Sequence, residues 1–114
     1  MEKKTVNILG TEYTIEERTL EQDKPLEKCD AYCDKTTKEV VISICDKDNC
    51  ELHNPEWYRK KLIRHEIVHA FLFESGMHEC TNWATDDCHN EQFVDWFAIQ
   101  SPKIFKVFQE LDIL

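Results

Sequence analysis

The sequence predicts an α+β fold: a small antiparallel sheet of about three strands followed by three helices, in one domain spanning residues 1–114. Three observations carry this expectation. Residues 5–45 hold the β-branched, partly alternating stretches. Helical start and stop signals bracket 55–75, and apolar positions at helical spacing recur from residue 90 onward. Strands first and helices afterwards favour helices packed on one face of a sheet.

Residues 5–9 and 12–19, separated by Gly10, read as two short strands of a hairpin. The charged stretch 21–34, broken by Pro25, reads as a loop. Residues 37–45, with Val40, Val41, Ile42 and Ile44, form the strongest strand of the chain, and 46–53 reads as a loop. Asn54 can cap a helix, Pro55 fits its first turn, Glu56 suits its positive end, and Gly76 stops it after Ser75. The run from Ile63 is apolar on most sides, as in a helix packed on several faces. A polar loop over 77–89 leads, with Asp86 and Asp87 as caps, into a helix over 90–100. Ser101-Pro102 ends that helix and starts another over 103–111.

The formal charge of −9 excludes the basic face that nucleic acids or anionic membranes require. At 41% hydrophobic and 11% aromatic, the 114 residues can bury one modest core. Neither a signal peptide nor a membrane-spanning stretch is visible, so a cytoplasmic monomer is expected. In such a compartment the six cysteines read as reduced thiols or metal ligands. Cys29, Cys33, Cys45 and Cys50 loosely resemble two zinc knuckles, and Cys80 and Cys88 form a further pair; free thiols are the alternative for both sets.

The chemistry centres on His65-Glu66-Ile67-Val68-His69. Two histidines four apart project from one helix face and can share one metal ion, and a carboxylate beside them can take a proton from an attacking water. A catalytic zinc keeps three protein ligands, so a third is required. The close-spaced arrangement wants glycine and histidine where Leu72 and Ser75 stand, which rejects His78 as a ligand. Glu91 and Asp95, four apart on a helix with apolar neighbours, offer an answer. Glu91 would coordinate, and Asp95 would accept the free ring N–H of a motif histidine. A solvated acidic helix face is the alternative.

His65-Glu66-Ile67-Val68-His69 followed by Asn90-Glu91-Gln92-Phe93-Val94-Asp95 resembles the gluzincin clan of zinc metallopeptidases, whose third ligand sits in an Asn-Glu-x-x-x-Asp helix. In size, and around His-Glu-Ile-Val-His-Ala-Phe-Leu-Phe-Glu-Ser-Gly and Val-Asp-Trp-Phe-Ala-Ile-Gln, the chain looks like the small metallopeptidase-like proteins of clostridia and their phages, and like the minigluzincins. The resemblance implies a zincin-like domain, Zn2+ held by His65, His69 and Glu91, Glu66 as general base, and Asp95 orienting a histidine, foremost His65. Large gluzincins add a helical domain with an oxyanion-stabilising tyrosine or histidine, which has no counterpart in these residues. Phe97-Ala98 after Glu91 also resembles phage and mobile-element proteases that cleave repressors.

The expected activity is therefore zinc-dependent hydrolysis of a peptide or protein substrate, with a non-catalytic zinc-binding protein as the different-class alternative. His78 and His89 are candidate oxyanion donors or plain surface residues. The substrate is expected to lie extended along an exposed edge formed by 37–45.

Overall fold

The hairpin forms as its residue types require. A computed structural model describes residues 3–44, 51–80 and 91–114, apart from the side chains of Cys80, Glu91, Gln92, Val94 and Asp95. Strand β1 (Lys4–Ile8) pairs antiparallel with β2 (Thr11–Arg18), Ile8 facing Thr11. The two connecting residues, Leu9 and Gly10, both have positive φ, 52° and 98°. That is the backbone of a type I′ turn, whose twist matches that of the flanking strands. Alternation then buries Val6 and Ile8 on β1 and Tyr13 and Ile15 on β2 on one sheet face.

The class is α+β as expected, but the sheet is mixed and has four strands, in the order β1-β2-β4-β3. The expected loop 21–34 contains a short 3₁₀ turn (Lys24–Glu27) and strand β3 (Ala31–Asp34). β4 (Glu39–Ser43) pairs antiparallel with β3 and parallel with β2. The apolar run decides this order. Val40, Val41 and Ile42 are all buried, so β4 has two faces to hide and takes an interior position, while short, half-exposed β3 takes the edge. The expectation that 37–45 forms the exposed edge is thus corrected: β4 is interior, and the edge strands are β1 and β3.

Across the outer face, Arg18 binds the strands together. Its guanidinium meets Asp23 at 2.7 Å, Glu39 at 2.8 Å and Glu16 at 3.1 Å. Tyr32 on β3 donates to the same Asp23 at 2.5 Å, so one cation joins β2, the crossover, β4 and, through Asp23, β3.

Helix α1 (Pro55–Glu74) starts and stops where its signals stand. Asn54 Oδ1 accepts from the Trp57 N–H at 3.1 Å, Pro55 fills the first turn, and Gly76 at φ 80° ends the run. Its fully buried face is a single stripe, Ile63, Glu66, Ile67, Ala70 and Phe71, with Leu62, Val68 and Leu72 packed partly against the core. Within the polar stretch after Gly76, Met77–Cys80 forms a short helix, α2. Asp86, Asp87 and His89 lie outside the described residues.

The two expected C-terminal helices are one. Helix α3 (Glu91–Glu110) continues through Pro102. Proline costs a mid-helix hydrogen bond and about 3 kcal/mol. The apolar positions nevertheless keep one phase across it, with Trp96 buried before and Ile104, Val107, Phe108 and Leu111 buried after. Burying these large side chains outweighs the local penalty. Trp96 Nε1 donates to Ser75 Oγ at 2.9 Å, docking the start of α3 at the end of α1. The core fills the space between the sheet and the two long helices. No described helix is long and apolar enough to cross a membrane.

Glu74 clamps the end of α1 to the sheet. Its carboxylate accepts from Tyr13 Oη at 2.7 Å, Lys38 Nζ at 2.7 Å and Thr11 Oγ1 at 3.0 Å. Burial works against this charge, but the bonds from Lys38, Tyr13 and Thr11 outweigh it and hold the carboxyl below its ordinary range. A depressed folded-state pKa stabilises fully above the unfolded value, about 4.3, and the contribution is lost as pH falls through the lower folded value. Glu74→Gln should therefore cost about 1–3 kcal/mol in denaturant unfolding at pH 7. The gap to wild type should narrow below about pH 4; a gap constant with pH would show that the charge of Glu74 is immaterial.

Candidate metal centre

The spacing of the motif on α1 decides which member is buried. Glu66 falls on the buried stripe with Ile63, Ile67 and Ala70, whereas His65 is exposed and His69 half-buried. The two imidazoles converge: His65 Nε2 and His69 Nε2 lie 3.2 Å apart. Metal–nitrogen bonds of about 2.0–2.1 Å at a tetrahedral ion would place two such nitrogens roughly 3.3 Å apart, so the pair already has the spacing of a shared metal ion. One ligand atom from each of His65, Glu66 and His69 falls within 4.8 Å of the others. Among the described residues, no other histidine, cysteine or acid joins this group.

Electrostatics favour the forms such a site needs. Burial, then the neighbouring His65 and His78, holds the His69 pKa below its ordinary value, which keeps the ring neutral and able to ligate. Glu66 is 5% exposed, and among the described residues its Oε2 has no hydrogen-bond partner. Burial alone pushes its pKa up to about 7. An unpartnered buried carboxyl costs stability unless something compensates; a cation at the adjacent histidines would do so. A group titrating near neutrality is also suited to taking and returning a proton.

The rim is aromatic and continues past the motif. Phe73 stacks on His69 at 6.2 Å between centroids, and His78 on α2 meets Phe73 edge-on at 4.8 Å. Lys35, from the β3–β4 turn, stands 5.6 Å from the Phe73 ring and pairs with Glu79 at 3.3 Å. His78 thus lies beside the site without joining the ligand group, in line with its rejection from spacing. Glu91 and Asp95 both fall in the first turns of α3, which Trp96 docks against the end of α1. Their side chains lie outside the described residues.

The sequence reading missed a wall of this site. A cavity of about 200 Å3 beside the motif is lined by Tyr58, Lys61, His65 and Glu66 from α1 and by Asp30 and Ala31 from the approach to β3 and its start. Tyr58, Lys61 and His65 recur at helical spacing, so the α1 members were visible in principle. Asp30 carried no signal, because its stretch read as loop. A larger cavity of about 440 Å3 lies between Asn54, Trp57, Lys60, Arg64 and Leu114. It contains none of the motif residues, and the chemistry selects the smaller one.

Comparison with known protein families, curated proteins and solved structures finds no match to this chain. The coarse character of the site is plain: a His-Glu-x-x-His helix brings together three side chains that could hold a metal ion.

The four-cysteine site rests partly on Cys45 and Cys50, and the second pair on Cys80 and Cys88; these side chains lie outside the described residues. Cys29 and Cys33 are free thiols. Cys29 is exposed and donates weakly to the Pro25 carbonyl at 3.4 Å, whereas Cys33, on β3, packs partly against the core. Burial first, then the charges of Glu66, Asp34 and Glu74, pushes the Cys33 thiol up to about 12. Thiolate is the reactive form, so Cys33 should alkylate with iodoacetamide at pH 8 about a hundredfold or more slowly than an ordinary exposed thiol. Peptide mass mapping against Cys29 measures this. Comparable labelling of the two would show that β3 is not held against α1.

Proposed function

We propose that this protein is a zinc-dependent peptide hydrolase in which Glu66 is the general base. The observation that carries the proposal is the buried Glu66 carboxyl, whose Oε2 meets no partner among the described residues, standing beside two histidine nitrogens 3.2 Å apart. His65 and His69 would supply two metal ligands and Glu91 the third, with Asp95 taking the free ring N–H of a histidine, foremost His65. Zinc bound there would contribute Lewis-acid polarisation of a carbonyl and a water acidified toward neutrality.

The chain's own residues do the rest of the work. Glu66, whose pKa burial lifts to about 7, accepts a proton from the attacking water and passes it to the leaving amine. Burial of Glu66 limits competing solvent around that proton. Strand β3 supports an extended substrate, because its outer edge pairs with no strand among the described residues and it borders the cavity holding His65 and Glu66. A non-catalytic metal-holding role would leave the buried acid of Glu66 without a task.

Two measurements separate the roles. Glu66→Gln should retain about one zinc per chain by metal analysis while lowering turnover of a quenched peptide library by about 10²–10⁴-fold. Equal turnover would remove Glu66 as the base. Glu91→Ala should lose tight zinc, and Asp95→Ala should weaken it about ten- to a hundredfold in competition titration against a chelator. A full zinc complement in Glu91→Ala would exclude Glu91 as a ligand, and unchanged affinity in Asp95→Ala would leave Asp95 a solvated helix acid.

A further inference from the structure

The histidines of the candidate centre stand on α1 and Glu91 and Asp95 on α3, and residues 75–90 separate the two helices, so chain connectivity does not set their mutual register. Packing must set it. Ser75, which caps the end of α1, supplies one point of contact. Its hydroxyl donates to the Leu72 carbonyl and accepts from the Met77 N–H, both at 3.4 Å, which ties it to the end of α1 and the start of α2. An indole N–H can only donate, and Trp96 Nε1 donates to this same hydroxyl at 2.9 Å. Trp96 is 5% exposed, so leaving that N–H unmet would be costly. Phe93 stacks on the Trp96 ring at 5.9 Å between centroids, extending the contact back along α3 toward Glu91. At a rise of about 1.5 Å per residue, Ser75 lies roughly 9 Å along α1 from His69, and Trp96 roughly 7.5 Å along α3 from Glu91. Over such lengths a helix moves as a unit. A slip of Trp96 by about 1 Å would carry the start of α3 by as much, whereas metal–ligand distances tolerate only about 0.2 Å.

We propose that Ser75 is a positioning residue of the metal centre: by holding Trp96 it keeps α3 in the register from which Glu91 and Asp95 serve an ion held by His65 and His69. The inference rests on the proposed reading that α3 completes the site. It goes beyond that reading by assigning part of the metal affinity to a hydroxyl outside the ligand group. Without the Ser75–Trp96 bond the metal-free protein spends part of its time in other registers of α1 and α3, and the apparent affinity falls with the fraction left in the competent one.

The test is a competition titration of zinc against a chelator on the full chain, with denaturant unfolding of each metal-free variant alongside. Ser75→Ala and, separately, Trp96→Phe should each weaken zinc about three- to tenfold, the span over which one hydrogen bond shifts a two-state population. Ser75→Thr keeps the hydroxyl and should bind zinc as wild type does. Ser75 is exposed, so its variants should fold. Glu74→Gln is the control, because it loosens the same end of α1 from Tyr13 and Lys38 and leaves the Ser75–Trp96 bond in place. It should lower stability without weakening zinc. Zinc affinity undiminished in Ser75→Ala and Trp96→Phe, a loss in Ser75→Thr as large as in Ser75→Ala, or an equal loss in Glu74→Gln overturns the positioning role and leaves the metal centre standing. A folded wild type that binds no zinc overturns the centre, and the positioning role with it.

Discussion

The structure depends on one constraint, that α1 must bury Ile63, Ile67, Ala70 and Phe71 against the sheet. With 3.6 residues per turn, fixing those four positions fixes every other side chain on the helix. Glu66 is carried into the interior with them, and His65 and His69 are left one above the other at the rim. The burial that shifts the Glu66 carboxyl is thus the same burial that assembles the core. A face that could hold a metal ion and a hidden acid arise together because positions i, i+1 and i+4 straddle the border between core and surface.

Placement of α1 is in turn set by the sheet beneath it. β4 takes an interior position because three consecutive buried residues leave it no face for water, and this pushes β3 to the edge. The edge strand then borders the motif, bringing Ala31 and Asp30 to the cavity and Cys33 within electrostatic reach of Glu66. Two charge clusters hold the arrangement. Arg18 draws the outer face together, and Glu74 fastens the end of α1 to Tyr13, Thr11 and Lys38. Such part-buried, multiply bonded ions are worth more than isolated surface pairs, because each polar atom would otherwise be left desolvated.

A domain of 114 residues has little stability to spare, and an unpartnered carboxyl in its core draws on it. Binding a cation at the adjacent histidines would offset part of that cost and couple metal occupancy to folding. The acidic balance of the chain bears on the same site. A net charge of −9 raises the local concentration of cations.

The amino-acid order alone determined the parts whose causes are local. The hairpin, the ends of α1 and the pairing of His65 with His69 follow from turn residues, caps and helical spacing, and all stand where the residues place them. The α+β class was legible for the same reason. Four features were not: β3, the parallel pairing of β2 with β4, the continuity of α3 through Pro102, and the cavity uniting Lys61, Tyr58 and Asp30 with the motif. β3 is a short strand with acids at its flanks, and only the need of β4 for a neighbour on each side makes it one. Pro102 breaks helices locally, and only the shared burial of Trp96 with Ile104, Val107 and Phe108 outweighs it. The charge state of Glu66 also belongs to the tertiary structure, because a carboxyl's pKa depends on the solvent it loses, and that loss exists only once the helix has met the sheet.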